Sequence, residues 1–125
     1  MTYIYAIQHN VTKKIYIGKS KNVYKRYEQH LSALRHKNHT SLEMQKDFNE
    51  YGEDYSVFVL EEVEGEKELV EHDGCFRTKG VDAEVYWIKK YNTIENGYNA
   101  QDHVTKMIIA KEGKKFPIKE GFPEE

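Results

Sequence analysis

The order of hydrophobic periodicities in this 125-residue chain predicts an α+β fold, a small sheet flanked by helices. Three observations carry that reading. Residues 3–20, YIYAIQHNVTKKIYIGKS, hold two runs in which aromatic and aliphatic residues alternate. Residues 22–36 and 82–93 instead repeat apolar side chains at helical spacings. Residues 55–63, YSVFVLEEV, return to the β-branched and aromatic composition of a strand.

The opening reads as a β-hairpin. With its turn centred between Asn10 and Val11, antiparallel pairing sets Ile4 opposite Ile17 and Ala6 opposite Ile15 on a core face. The same register sets Tyr5 opposite Tyr16 and Tyr3 opposite Gly18 on the other face. Two phenols then lie side by side, next to a glycine that leaves space.

Asn22 is the natural N-cap of the next element, in which Val23, Tyr27, Leu31 and Leu34 form an amphipathic stripe ending near His36. Arg26 and His30 are one turn apart on it, beside the stripe. After HKNHTS, a second helix capped by Ser41 or Thr40 carries Leu42, Met44, Gln45 and Phe48 and stops at Gly52. The strand at 55–63 follows. A helical turn or two is expected over 66–72, and DGCFRTKG, residues 73–80, reads as a loop. A last helix over 82–93, capped by Asp82, packs Val85, Ile88, Trp87 and Tyr91 against the sheet. Trp87 and Tyr98 belong to the core. Glu84 lies at the edge of that apolar surface, where a carboxylate is costly to desolvate unless it is paired or binds a cation.

Composition narrows the function. The length suits one domain, and the single cysteine, Cys75, excludes an internal disulfide and a CxxC zinc site, as a reducing compartment would favour. No stretch approaches the roughly 20 apolar residues of a membrane span. The expectation is a soluble cytoplasmic protein. Net charge is −2, but residues 1–50 hold nine Lys/Arg against four Asp/Glu, and residues 51–125 hold ten against seventeen. A basic half supplies phosphate contacts whatever the overall balance, since only the local field meets a ligand. Lys14, Lys19, Lys21, Lys25, Arg26, Arg35 and Lys37 are its candidate nucleic-acid contacts.

YIY at 3–5, YIG at 16–18, YKRYEQH with Arg26 and His30, HTS with His39, EVYWI with Glu84, and GYN at 97–99 occur in that order. Together they resemble the catalytic domain of GIY-YIG nucleases, in particular phage and intron-encoded homing endonucleases, over about residues 3–102. The resemblance implies a three-stranded antiparallel sheet flanked by helices. Two departures stand out. Tyr3 occupies the glycine position of the family's opening motif, and about residues 73–81 look like an insertion.

The resemblance further implies hydrolysis of a DNA phosphodiester through Tyr5, Tyr16, Arg26, His30, His39, Glu84 and Asn99. Glu84 is the implied ligand of one divalent ion, Mg2+ with Mn2+ as the alternative, and Glu71 and Glu68 are its substitutes. Tyr5, with Tyr16 close by, would orient or activate the attacking water, helped by Lys14 and His30, and either Tyr5 or His30 would be the base. Arg26 would contact the phosphate. Asn99 would hydrogen-bond across the site. The chain then divides into a nuclease domain over 1–103 and a tail or linker over 104–125 without a recognisable DNA reader. Low sequence specificity, or a targeting protein or separate DNA-binding module as partner, follows. The origin implied is a phage in a bacterial host. The competing expectation is a non-catalytic nucleic-acid- or protein-binding module on the same fold.

Overall fold

The computed structural model describes residues 1–72 and 74–99; the expected tail over 104–125 lies outside the described residues. The expected sheet is present: β1 (Thr2–His9) pairs antiparallel with both β2 (Ile15–Ser20) and β3 (Tyr55–Val63), in the order β2-β1-β3. Both of its faces carry a core, centred on β1 and β2, while much of β3 stays exposed. On one lie Ile4, Ala6, Ile15, Ile17 and Val63, packed against Ala83, Ile88 and Tyr91 of the helix α3 (Lys79–Tyr91). On the other, Tyr5 and Ile7 pack against Leu31 and Leu34 of α1 (Val23–Arg35), Met44 of α2 (Leu42–Tyr51) and Tyr98.

The faces are those the alternation predicts, but the register is not. Ala6 faces Ile17, Gln8 faces Ile15, Tyr5 faces Gly18, Ile7 faces Tyr16 and Tyr3 faces Ser20. The pairing is displaced by two residues because the connection Asn10–Lys14 is longer than a tight turn, with Lys13 in the left-handed region at φ 67°. A slip of two keeps every side chain on its face, whereas a slip of one would have inverted them. Between β1 and β3 a bulge leaves Leu60 unpaired, Ile4 facing Glu61 and Tyr5 facing Val59.

Both cap assignments hold. Asn22 accepts a hydrogen bond from the Lys25 N–H at 3.0 Å and Ser41 one from Met44 at 3.2 Å, while Gly52, at φ 86°, ends α2. Residues 66–72 do not form helical turns, and DGCFRTKG is not all loop. β4 (Leu69–His72) and β5 (Cys75–Thr78) make a separate hairpin. α3 starts three residues before the expected position, capped by Thr78, because the Asp82 carboxylate is taken by Arg77 at 2.6 Å. A short helix, α4 (Thr93–Asn96), leads to Gly97, where a Cβ would come within 2.6 Å of the Ile15 carbonyl oxygen. Glycine there lets the GYN segment lie against β2.

Candidate active site

The tyrosine face of the hairpin becomes a site because α1 lays its own polar edge beside it. Tyr5 is 1% exposed and lies over Gly18, where a Cβ would fall 2.5 Å from its Cζ. Its ring centroid is 6.4 Å from that of Tyr16, so the phenols are diagonal neighbours instead of opposite ones. The Tyr5 hydroxyl is 2.9 Å from His30 Nε2, and His30 Nδ1 is 2.7 Å from His39 Nε2. The Ser41 N–H donates to His39 Nδ1 at 2.9 Å. Arg26, one turn before His30, stays exposed and donates to Gln29 Oε1 at 3.0 Å, not to Glu28.

Tyr16, Arg26, Gln29, His30, His39 and Thr40 line a cleft of about 170 Å³, and Tyr5 lies buried behind His30. Burial, and then Tyr16, raises the pKa of Tyr5, while Arg26 opposes the rise. Burial and Glu84 raise that of Tyr16. His30 is pushed down to about 3, first by burial and then by His39 and Arg26. Burial and Arg26 likewise lower His39. At neutral pH the pocket therefore holds two neutral phenols and two neutral imidazoles beside one guanidinium. Glu84 is half-buried on α3, and its charge acts on both Tyr5 and Tyr16. α3 packs on the opposite face of the sheet, in which β2 is an edge strand.

The profile of the GIY-YIG catalytic domain matches residues 1–99. The chain belongs to the GIY-YIG family. It is 33% identical over 99 residues to the intron-associated endonuclease 1 of Enterobacteria phage T4, and that match takes in 79% of this chain and 36% of the relative. The chain thus spans about a third of that protein's length. Two solved structures of the catalytic domain of the homing endonuclease I-TevI, one of them a mutant, superpose with a TM-score of 0.66 at 30% identity. Each covers 82% of this chain, and 96% and 100% of the I-TevI chains is matched.

Of the residues the GIY-YIG motifs single out, Tyr5, Tyr16, Arg26, His30 and His39 come together in space, and Glu84 acts electrostatically on the two tyrosines. Asn99 has a different position. Its Oδ1 accepts from the Ile17 N–H at 2.8 Å and from the Thr93 hydroxyl at 2.7 Å, and its Nδ2 donates to the Ile17 carbonyl at 2.8 Å. The amide pairs with the free edge of β2 as a neighbouring strand would, holding the backbone between Tyr16 and Gly18. Lys14 is committed to Glu43 at 2.5 Å and Asp47 at 3.8 Å, and Arg35 makes a bidentate pair with Glu53 at 2.8 Å. Lys21, Lys25 and Lys37 are exposed, and the Lys19 stem packs over Gly80. Lys21 and Lys25 flank the start of the helix that carries Arg26.

Ser41 is the residue that sequence reasoning placed only as a cap. Besides capping α2, it hydrogen-bonds His39 through its N–H and the Tyr98 carbonyl through its hydroxyl at 2.5 Å. The signal was present in HTS, a histidine two residues ahead of a cap. As for a metal, no group of three or more His, Cys, Asp or Glu among the described residues could hold one. The nitrogens joining His30 and His39 are occupied by each other, which suits neither zinc nor another imidazole-seeking ion. A single carboxylate fits Mg2+, which keeps most of its waters and takes few protein ligands.

Proposed function

We propose that this chain is a metal-dependent DNA endonuclease that hydrolyses phosphodiester bonds with little sequence specificity of its own. The observation that supports it is the convergence, in a GIY-YIG catalytic domain, of Tyr16, two histidines and an exposed arginine on one surface cleft, with Tyr5 hydrogen-bonded behind it and Glu84 acting on both tyrosines. A shallow, open cleft suits a phosphate presented by a duplex, which a deep pocket could not reach.

In this reading Arg26 contacts the scissile phosphate, where a planar guanidinium matches two oxygens and opposes the charge that grows during attack. Tyr5 and Tyr16 orient the attacking water and the phosphate from the sheet, and Asn99 keeps β2 in place beneath Tyr16. Glu84 would hold Mg2+ or Mn2+, which when bound neutralises charge on the phosphate and on the departing oxygen. Lys21 and Lys25 extend the phosphate-contacting surface along the start of α1. We assign the nuclease domain to residues 1–103 and a linker to 104–125. DNA, with a targeting protein or a further DNA-binding module, is the partner set.

Nicking of supercoiled plasmid tests the reading. The purified chain is expected to nick with Mg2+, to stop with EDTA, and to lose nicking in Glu84→Ala while remaining folded. A folded wild type that binds plasmid but leaves it intact with both Mg2+ and Mn2+ points to the binding module instead.

A further inference from the structure

A second hollow adjoins the catalytic cleft, and none of the chemistry above uses it. It measures about 470 Å³ and lies between the start of α2 and the segment 94–99, with Lys14 of the hairpin connection also on its wall. Thr40 lines both hollows, so the two meet at that residue. His39, one position earlier, belongs to the cleft, and Ser41, one position later, to the groove.

The inner wall of the groove is firmly held. Tyr98 is 1% exposed, its N–H donates to the Ile15 carbonyl at 2.9 Å, and its hydroxyl donates to Asp47 at 2.8 Å. Gly97 has no room for a Cβ against that same carbonyl. The shape therefore exists before a ligand arrives, as in most small-molecule sites.

Its charge selects against a phosphate. Lys14 is the single Lys or Arg among the described residues that line it, and Glu43 and Asp47 already engage its ammonium group. Glu43 and Glu95 contribute carboxylates to the walls. A strand whose phosphate sits at Arg26 can thus send only an uncharged part into the groove, which is a base. The remaining lining suits one. Leu42 of α2, 82% exposed, and Ile94 of α4 offer apolar contact to the face of a base from two different helices. Thr40 and Asn96, both exposed, add a hydroxyl and an amide that donate or accept along its edge. The volume is in the range of small-molecule sites and takes one nucleoside, whereas a base still stacked in its duplex cannot enter.

We propose that the groove between α2 and α4 receives one unstacked base of the cleaved strand, beside the phosphate held at Arg26, with Leu42 and Ile94 against it. This rests on the nuclease reading of the adjoining cleft. Extruding a base costs least where it is already mismatched. The chain then prefers DNA carrying a mismatched base next to the cut, a preference for structure and not for sequence.

Two readouts test it, both on a duplex oligonucleotide with 2-aminopurine as its single mismatched base. The first is binding in EDTA, followed by the anisotropy of a dye at the far end. As the base leaves the DNA stack for aliphatic walls, 2-aminopurine fluorescence should rise several-fold at saturation. In Leu42→Ala, a change at an exposed position that leaves the fold intact, the rise should be much smaller. No rise in the wild type, or an equal rise in the variant, overturns the proposal.

The second readout is cleavage with Mg2+. The wild type should cut the mismatched duplex about tenfold faster than the matched one, at the bond beside the mismatch, and in Leu42→Ala that ratio should fall towards one. Equal rates on both duplexes in the wild type sink the idea. The two readings fail separately. A fluorescence rise without cutting in Mg2+ or Mn2+ keeps the groove and removes the nuclease, while cutting without a rise does the opposite. A chain that binds neither duplex removes both.

Discussion

The two faces of the sheet each bury a core over β1 and β2, yet they are built from different chemistry. The α3 face joins Ile4, Ala6, Ile15 and Ile17 to Ala83 and Ile88, where shape and apolar area carry the contact. The α1/α2 face buries Tyr5 and His30, and next to them His39, Ser41 and Asp47, each held by hydrogen bonds. A polar group without a partner there costs more than its hydrogen bond returns. The comparison teaches that one three-stranded sheet separates its tasks by face: period-two alternation lets one face secure the fold while the other holds a proton-bearing network rigid.

Substitutions on the two faces should therefore fail differently. Removing Arg26 or Glu84, neither of which is needed to hold the sheet together, should lower plasmid nicking by about 10²–10³-fold with little change in the urea midpoint. Ile15→Ala, on the α3 face, should do the reverse: a loss of about 2–5 kcal/mol in denaturant unfolding, with nicking per folded molecule retained. An Ile15 variant that unfolds normally but cannot nick would break the division.

Gly18→Ala tests the boundary between the faces, because its Cβ collides with the Tyr5 ring and not with α3. We expect a stability loss of about 1–3 kcal/mol accompanied by a displaced Tyr5 resonance and weakened nicking.

A further difference lies in pH. His30 titrates near 3 in the folded chain against about 6.5 when unfolded, so the unfolded state takes up the proton first. Stability is then full above about pH 6.5 and declines as pH falls from there towards 3. The slope is about 1.4 kcal/mol per pH unit for each proton involved. His39, lowered in the same direction, adds to it. Urea unfolding of wild type and His30→Asn between pH 7 and 4 measures the difference, and an equal slope in both would show that the buried imidazoles do not set it.

Much of this was legible beforehand where it depended on neighbours along the chain. Caps at Asn22 and Ser41 and the stop at Gly52 are local chemistry, so they stood where the residues put them. The β4–β5 hairpin was missed because four-residue strands carry too little alternation to separate from a helical turn. The start of α3 was misplaced because two cap-competent residues, Thr78 and Asp82, lie four apart, and Arg77 decided between them. In the site, His30 and His39 were named, but their contact through ring nitrogens nine residues apart depends on how the α1–α2 connection turns.

Alternation and helical spacing by themselves determined which residues share a face of the sheet and which side of α1 carries Arg26 and His30, since both follow from backbone periods. Only the tertiary structure decided the hairpin register, the electrostatic effect of Glu84 on the tyrosines, and the run of contacts from Ser41 through His39 and His30 to Tyr5. Those depend on loop geometry and on contacts between residues far apart in the chain, where direction and distance, not residue type, determine the interaction.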